Sequence, residues 1–123
     1  MARRRTGGRG AVERHVPLKP VWFQVLLTLA GGVRHGYAIR QEVEERTEGA
    51  IRLWPTTLYG TLSRLESEGL IVEADGDGPA DDVPRRFWGL TSLGRRVLSL
   101  ETDRLAALVR ESRSRQSTRA REA

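Results

Sequence analysis

Pro55-Thr56-Thr57-Leu58-Tyr59-Gly60-Thr61-Leu62-Ser63-Arg64-Leu65-Glu66, continued by Ser67-Glu68-Gly69-Leu70-Ile71, is the stretch on which the fold turns. Leu58, Leu62 and Leu65 recur at i, i+4 and i+7, the spacing of one face of a helix. The opposite face carries Thr56, Gly60, Ser63 and Ser67, flanked by Thr57, Tyr59 and Arg64. One side of such a helix anchors in a core. The other offers hydroxyls, a phenol and a guanidinium, with no carboxylate before Glu66. A helix in the DNA major groove needs that chemistry: short hydrogen-bonding groups for base edges and phosphates, Arg for guanine, and no early negative charge. Gly69 predicts the helix end and Leu70-Ile71-Val72 the start of a strand, the order in which a winged helix enters its wing.

Two further segments flank this one. Upstream lies His35-Gly36-Tyr37-Ala38-Ile39, and downstream lies Arg85-Arg86-Phe87-Trp88-Gly89-Leu90-Thr91-Ser92-Leu93-Gly94. Each alone is weak; in this order and spacing they resemble the PadR family of winged-helix transcriptional regulators over about residues 20 to 110. The resemblance implies an α+β, mostly helical fold: a winged helix-turn-helix with a β-hairpin wing and a long C-terminal helix, assembled as a homodimer. A single C-terminal dimerisation helix marks the short form of the family.

At 123 residues the chain accommodates one domain with tails. It has no cysteine, so disulfide and thiolate chemistry do not arise and a reducing cytoplasm is the expected setting. No apolar run reaches the ~18 residues of a membrane span. Pro17 and Lys19-Pro20 interrupt any signal-like hydrophobic stretch after the basic N-terminus, so no membrane partner is expected.

The net charge of +5 is unevenly distributed. Residues 1–19 hold six basic side chains (Arg3, Arg4, Arg5, Arg9, Arg14 and Lys19) against Glu13, a balance of +5. Residues 110–123 hold five Arg against Glu111 and Glu122, a balance of +3. Between them, ten Arg face thirteen acids, leaving −3. The positive surplus therefore belongs to the tails. Twenty Arg to one Lys reads first as a coding bias, although Arg suits phosphate and guanine.

Four regions follow: a disordered basic arm over 1–16, a winged-helix DNA-binding domain over 17–90, a dimerisation helix over 91–112, and a frayed basic tail over 113–123. The first helix is predicted from Leu18 to Ala30, with Val21, Trp22, Val25, Leu26 and Leu29 as a stripe and Phe23 and Leu27 outside it. A helix this apolar covers more than one face, one against its own domain and one against a second copy. Gly31-Gly32 ends it. A second helix runs from about Gly36 to Thr47, with Ile39 and Val43 inward and Glu42 and Arg46 as an i,i+4 pair. Ile51-Arg52-Leu53 reads as a short strand. Pro55 suits the first turn of the third helix; the family usually has a small hydroxyl residue before it, where this chain has Trp54, a different start or a hydrophobic lid. Strands are expected at about Gly69–Ala74 and Arg85–Leu90, and Thr91 as the cap of the last helix. In that helix Leu93, Val97 and Leu100 form one stripe, and Leu98, Leu105, Leu108 and Val109 another.

The DNA-contact candidates are Thr56, Thr57 and Gly60 for base edges and Tyr59, Ser63 and Arg64 beside them. Tyr37, Arg85 and Arg86 join them as phosphate contacts. Each has a plainer reading. Tyr59 suits a core tyrosine with its hydroxyl at the rim, Gly60 a merely tolerated glycine costing ~1 kcal/mol, and His35 with Tyr37 an aromatic staple on the turn. The dimerisation candidates are Val21, Val25, Leu98, Leu105, Leu108 and Val109. Some members of the resembled family bind flat aromatic effectors at the dimer interface, which makes Trp22 the candidate for such a pocket, although the last helix has no aromatic residue. The loop acids Asp75, Asp77, Asp81 and Asp82 would repel phosphate; their spacing lacks the closing Glu of a calcium loop, and no metal or cofactor is expected.

The leading function is a sequence-specific regulator, a repressor on a palindromic operator, with a small aromatic effector as its candidate release signal. The alternative is a winged-helix module for an effector or protein that has lost specific DNA binding, which the acidic loop and the −3 core favour. Two histidines and no cysteine leave an enzyme little to work with, and Gly76-x-Gly78 is a turn with no helix after it.

Overall fold

The computed structural model describes residues 10–76 and 86–122. Its elements are α1 (Pro20–Ala30), β1 (Arg34–His35), α2 (Gly36–Arg46), α3 (Pro55–Ser67), β2 (Ile71–Ala74), β3 (Phe87–Leu90) and α4 (Ser92–Glu122). The three strands form one antiparallel sheet in the order β1-β3-β2, with Ile71 opposite Leu90, Glu73 opposite Trp88, and Arg34 opposite Trp88 from the other side. This is a winged helix: three helices, a hairpin, and a long terminal helix.

The core explains why the elements meet. Val25, Leu26 and Leu29 of α1, Ile39 and Val43 of α2, Leu58, Leu62 and Leu65 of α3, Leu70, Ile71, Trp88 and Val97 are buried in one cluster. The leucine stripe of the third helix is thus wholly inside, as its spacing predicts. Arg46 adds a polar clamp between α1 and α2: its guanidinium donates to Gln24 Oε1 (2.9 Å), Thr28 Oγ1 (3.2 Å) and Glu42 Oε2 (2.7 Å). Thr28 is otherwise buried, so this bond satisfies a hydroxyl that would be costly to leave alone.

A second node joins α3 to α4. Gly69, at φ +78°, takes the left-handed conformation that closes α3. Thr91 then makes three bonds: its N–H donates to Leu70 O (3.1 Å), its hydroxyl donates to Gly69 O (2.6 Å), and its Oγ1 accepts from the Gly94 N–H (2.9 Å). Gly94 faces the Leu70 carbonyl so closely that any Cβ there would run into it.

Several expectations are corrected. Residues 10–16 do not belong to a disordered arm: 10–13 form a helical turn, and Val12 and Val16 pack against the core. Those two apolar side chains supply burial that the Arg-rich composition around them conceals. Arg3, Arg4, Arg5 and Arg9 lie outside the described residues. The first helix begins at Pro20 rather than Leu18, because Lys19, which precedes a proline, is held extended at φ −62° and ψ 143°; the Leu18 N–H donates instead to Glu101 Oε2 at 3.1 Å. Residues 51–53 form no strand; the sheet's third strand is Arg34–His35, too short to signal itself by alternation. The last helix runs to Glu122 rather than fraying at 113. After Gly94 it contains neither Gly nor Pro, and Arg115 pairs with Glu111 at 2.8 Å along its exposed end. Val25 is fully buried in the protomer, so it has no surface for a partner. Leu98 is partly buried against the same core, with only part of its surface to offer.

Candidate nucleic-acid interface

The exposed face of α3 gathers most of the predicted contacts. Thr56, Thr57, Tyr59, Gly60, Ser63 and Arg64 are all exposed, while Leu58, Leu62 and Leu65 hold the helix from beneath. Pro55 opens the helix, and its first turn holds no acidic residue. Among the described residues Arg64 makes no ion pair, so its charge is available. A Cβ on Gly60 would meet nothing within 4 Å, so nothing in the protomer requires glycine there.

Tyr59 leans on the preceding helix. A Cβ on Gly36 would stand 2.7 Å from its hydroxyl oxygen and 3.1 Å from Cζ, so Gly36 makes the room that lets α2 and α3 close at this point. The ring remains half exposed, with its hydroxyl at the start of α2. There His35 Nδ1 accepts the Ala38 N–H at 3.1 Å, capping the helix. The imidazole also stacks with Tyr37 (6.4 Å between centroids) and meets Phe87 edge-on (5.6 Å). His35 is therefore the staple that ties α2 to β3, and Tyr37 is left exposed on its outer side.

The wing's base is less basic than its sequence suggests. Arg86 gives both Nε (2.9 Å) and Nη2 (3.1 Å) to the Glu73 carboxylate across the hairpin and lies 4.7 Å over the Trp88 ring. The Arg86 hydrogen bonds hold the Glu73 carboxyl below its ordinary range, and Glu73 in return raises Arg86. Arg86 is thus a neutralised cation rather than a free one. Arg85, Asp77, Asp81 and Asp82 lie outside the described residues.

The remaining candidates lie elsewhere. Val21, Trp22 and Leu105 are half-buried, and Lys19 Nζ stands 5.5 Å over the Trp22 ring. Leu108 and Val109 are 52% and 48% exposed, side by side on α4. Trp54 forms no lid: 59% of it is exposed, 5.6 Å from the Arg40 guanidinium on α2. Sequence reading passed over this pair and Glu101, which is buried and bound to Arg104 (2.7 and 2.8 Å) as well as Leu18. A lone Glu in an amphipathic helix carries no signal that it turns inward; an unusual Trp before a helix does carry one. No helix among the described residues is long and apolar enough to cross a membrane.

This architecture matches known proteins. Residues 25–100 match the family model described as "Transcriptional regulator PadR-like family". Over 91 residues the chain is 38% identical to the transcriptional regulator Rv3488 of Mycobacterium tuberculosis, covering 74% of this chain and 80% of that protein. It spans 60% of the length of an uncharacterised relative from Lysinibacillus sphaericus and 22% of a transposon protein from Streptomyces fradiae. The fold is similar to the crystal structure of a PadR family regulator from Clostridium difficile (TM-score 0.67, 22% identity, 78% of this chain and 97% of that one). It is also similar to Bacillus subtilis PadR, solved in complex with operator DNA (TM-score 0.58, 21% identity, 66% of this chain and 45% of that one). Motifs, winged-helix topology and the match over most of the domain agree, and the chain belongs to the PadR-like family of transcriptional regulators, a family of transcription factors rather than enzymes.

Proposed function

We propose that this regulator is a repressor that binds a palindromic operator as a homodimer, each protomer placing α3 in the major groove. The observation that carries the reading is the division of α3: a wholly buried leucine face and an exposed face of hydroxyls, Tyr59 and Arg64 with no acid in its first turn. Thr56, Thr57 and Gly60 face base edges, and Ser63, Arg64, Tyr59 and Tyr37 the backbone. The operator complex of Bacillus subtilis PadR, which shares the fold, supports the mode of binding. Two α3 helices related by a two-fold read half-sites about one helical turn apart.

The second copy covers Leu105, Leu108 and Val109 of α4 together with Val21 and the outer side of α1. A dimer formed there sets the spacing of the two α3 helices, so a ligand lodged between the copies changes operator affinity. Trp22, with its ring partly open and Lys19 above it, is the contact for an aromatic effector.

Selection of sheared source DNA on the purified protein at about 0.15 M salt tests the reading. Recovery of one or a few palindromic sites supports it; Tyr59→Phe and Arg64→Ala then weaken binding to those sites while the fold persists. The Glu73–Arg86 pair favours a second reading, a winged helix that binds a protein instead. Diffuse recovery that vanishes with modest added salt would reject the regulator of a specific operator in favour of that one.

A further inference from the structure

Trp54 is the side chain that packing explains least. Aromatic residues of this size normally end in a core or an interface, yet more than half of Trp54 is exposed. It stands immediately before α3 and supplies no cap to the helix. Its ring carries the guanidinium of Arg40, 5.6 Å from the centroid, and so bridges α2 to the start of α3. Among the described residues the Arg40 guanidinium makes no ion pair and no hydrogen bond. The carboxylate one turn further along α2, Glu44, lies 3.9 Å from Arg52 instead. An unpaired guanidinium held against an exposed indole is pre-oriented and only weakly hydrated, which suits it to a phosphate.

We propose that Arg40 clamps a backbone phosphate of the DNA strand beside the groove that α3 enters, with Trp54 as its positioning residue. The inference rests on the DNA-binding reading above. Continuity decides the occupant: Trp54 is joined through Pro55 to Thr56 and Thr57, the first exposed hydrogen-bonding side chains of α3. In a helix-turn-helix, moreover, the helix before the groove-entering one is the one that crosses the backbone. The charge agrees, since the first turn of α3 brings no carboxylate to compete for the guanidinium.

The test uses a fluorescein-labelled duplex of a sequence recovered by the selection, titrated by anisotropy over a series of salt concentrations. Arg40→Ala is expected to weaken binding about tenfold. It also lowers the slope of log affinity against log salt by about 0.9 for each phosphate that the protein no longer neutralises. Trp54→Ala weakens binding in the same sense, Trp54→Phe restores most of it, and Arg40→Ala/Trp54→Ala binds no worse than Arg40→Ala alone. Melting by circular dichroism shows whether each variant keeps the fold, and Trp54→Phe and Arg40→Ala decide the matter should Trp54→Ala unfold. Wild-type affinity and salt slope in Arg40→Ala, on a duplex the native protein binds, would overturn the clamp and leave the DNA-binding reading intact. An added loss from Trp54→Ala in the Arg40→Ala background would overturn the positioning role. If the native protein binds no duplex, the DNA-binding reading fails and the clamp with it.

Discussion

Glu101→Ala should be among the most damaging single changes outside the apolar core. Glu101 is 1% exposed, and its carboxylate accepts the Leu18 N–H at 3.1 Å and two bonds from Arg104. It thereby ties the chain's entry into α1 to the first third of α4. Removing the carboxylate leaves the Leu18 N–H without its acceptor, at about 1–3 kcal/mol. The vacated space adds about 1 kcal/mol. Arg104, about a third exposed, turns to water and adds little. The desolvation that the buried carboxylate suffers is relieved at the same time, so the net loss is about 2 kcal/mol. Urea unfolding at fixed protomer concentration would then show a midpoint lowered by about 1 M. Glu101→Gln keeps an acceptor for Leu18 and should lose about 1 kcal/mol. The pH dependence follows from the ion pair. The Arg104 bond first, and the Leu18 N–H after it, hold Glu101 below its ordinary value of 4.5 against the opposing effect of burial. Its contribution is therefore complete above pH 4.5 and is lost as pH falls from there through the folded value. The gap between wild type and Glu101→Gln should narrow over that range. An unchanged midpoint in Glu101→Ala, or a gap that does not narrow in acid, would refute the reasoning.

Gly60→Ala separates two roles for an open helical glycine: it should stabilise the protein by about 0.5–1 kcal/mol in urea unfolding and weaken binding to a selected duplex, whereas stabilisation with unchanged binding would mean that no close approach occurs there. Gly94→Ala forces a Cβ against the Leu70 carbonyl and should destabilise by about 2–3 kcal/mol, read as a lower thermal midpoint. If the proposed dimer forms through α4, Leu108→Glu with Val109→Glu should leave a folded monomer in analytical ultracentrifugation, since neither side chain contributes to the protomer's core; a dimer that persists would place the interface elsewhere. Glu73→Gln releases Arg86 from its partner and should raise affinity for random-sequence duplex at low salt, an effect that added salt abolishes.

Much of the scaffold was legible because it is local. The spacing of Leu58, Leu62 and Leu65, the stop at Gly69 and the cap at Thr91 are decided within a turn or two of helix, so the order of residues determines them. The same locality made the exposed face of α3 readable, since whatever lies opposite a buried stripe must face outward. Tertiary structure alone decided what depends on residues far apart in the chain. Val25 proved internal rather than available to a partner because α1 packs against α2, β3 and α4. Arg86 was paired with Glu73 through hairpin register, and Glu101 found Leu18 across 83 positions of sequence. Arg40 met Trp54 because α2 packs against α3, which Trp54 precedes. A side chain's charge and shape are written in the sequence, but whether that charge is spent inside the fold or left for a partner is settled only by what the folded chain brings beside it.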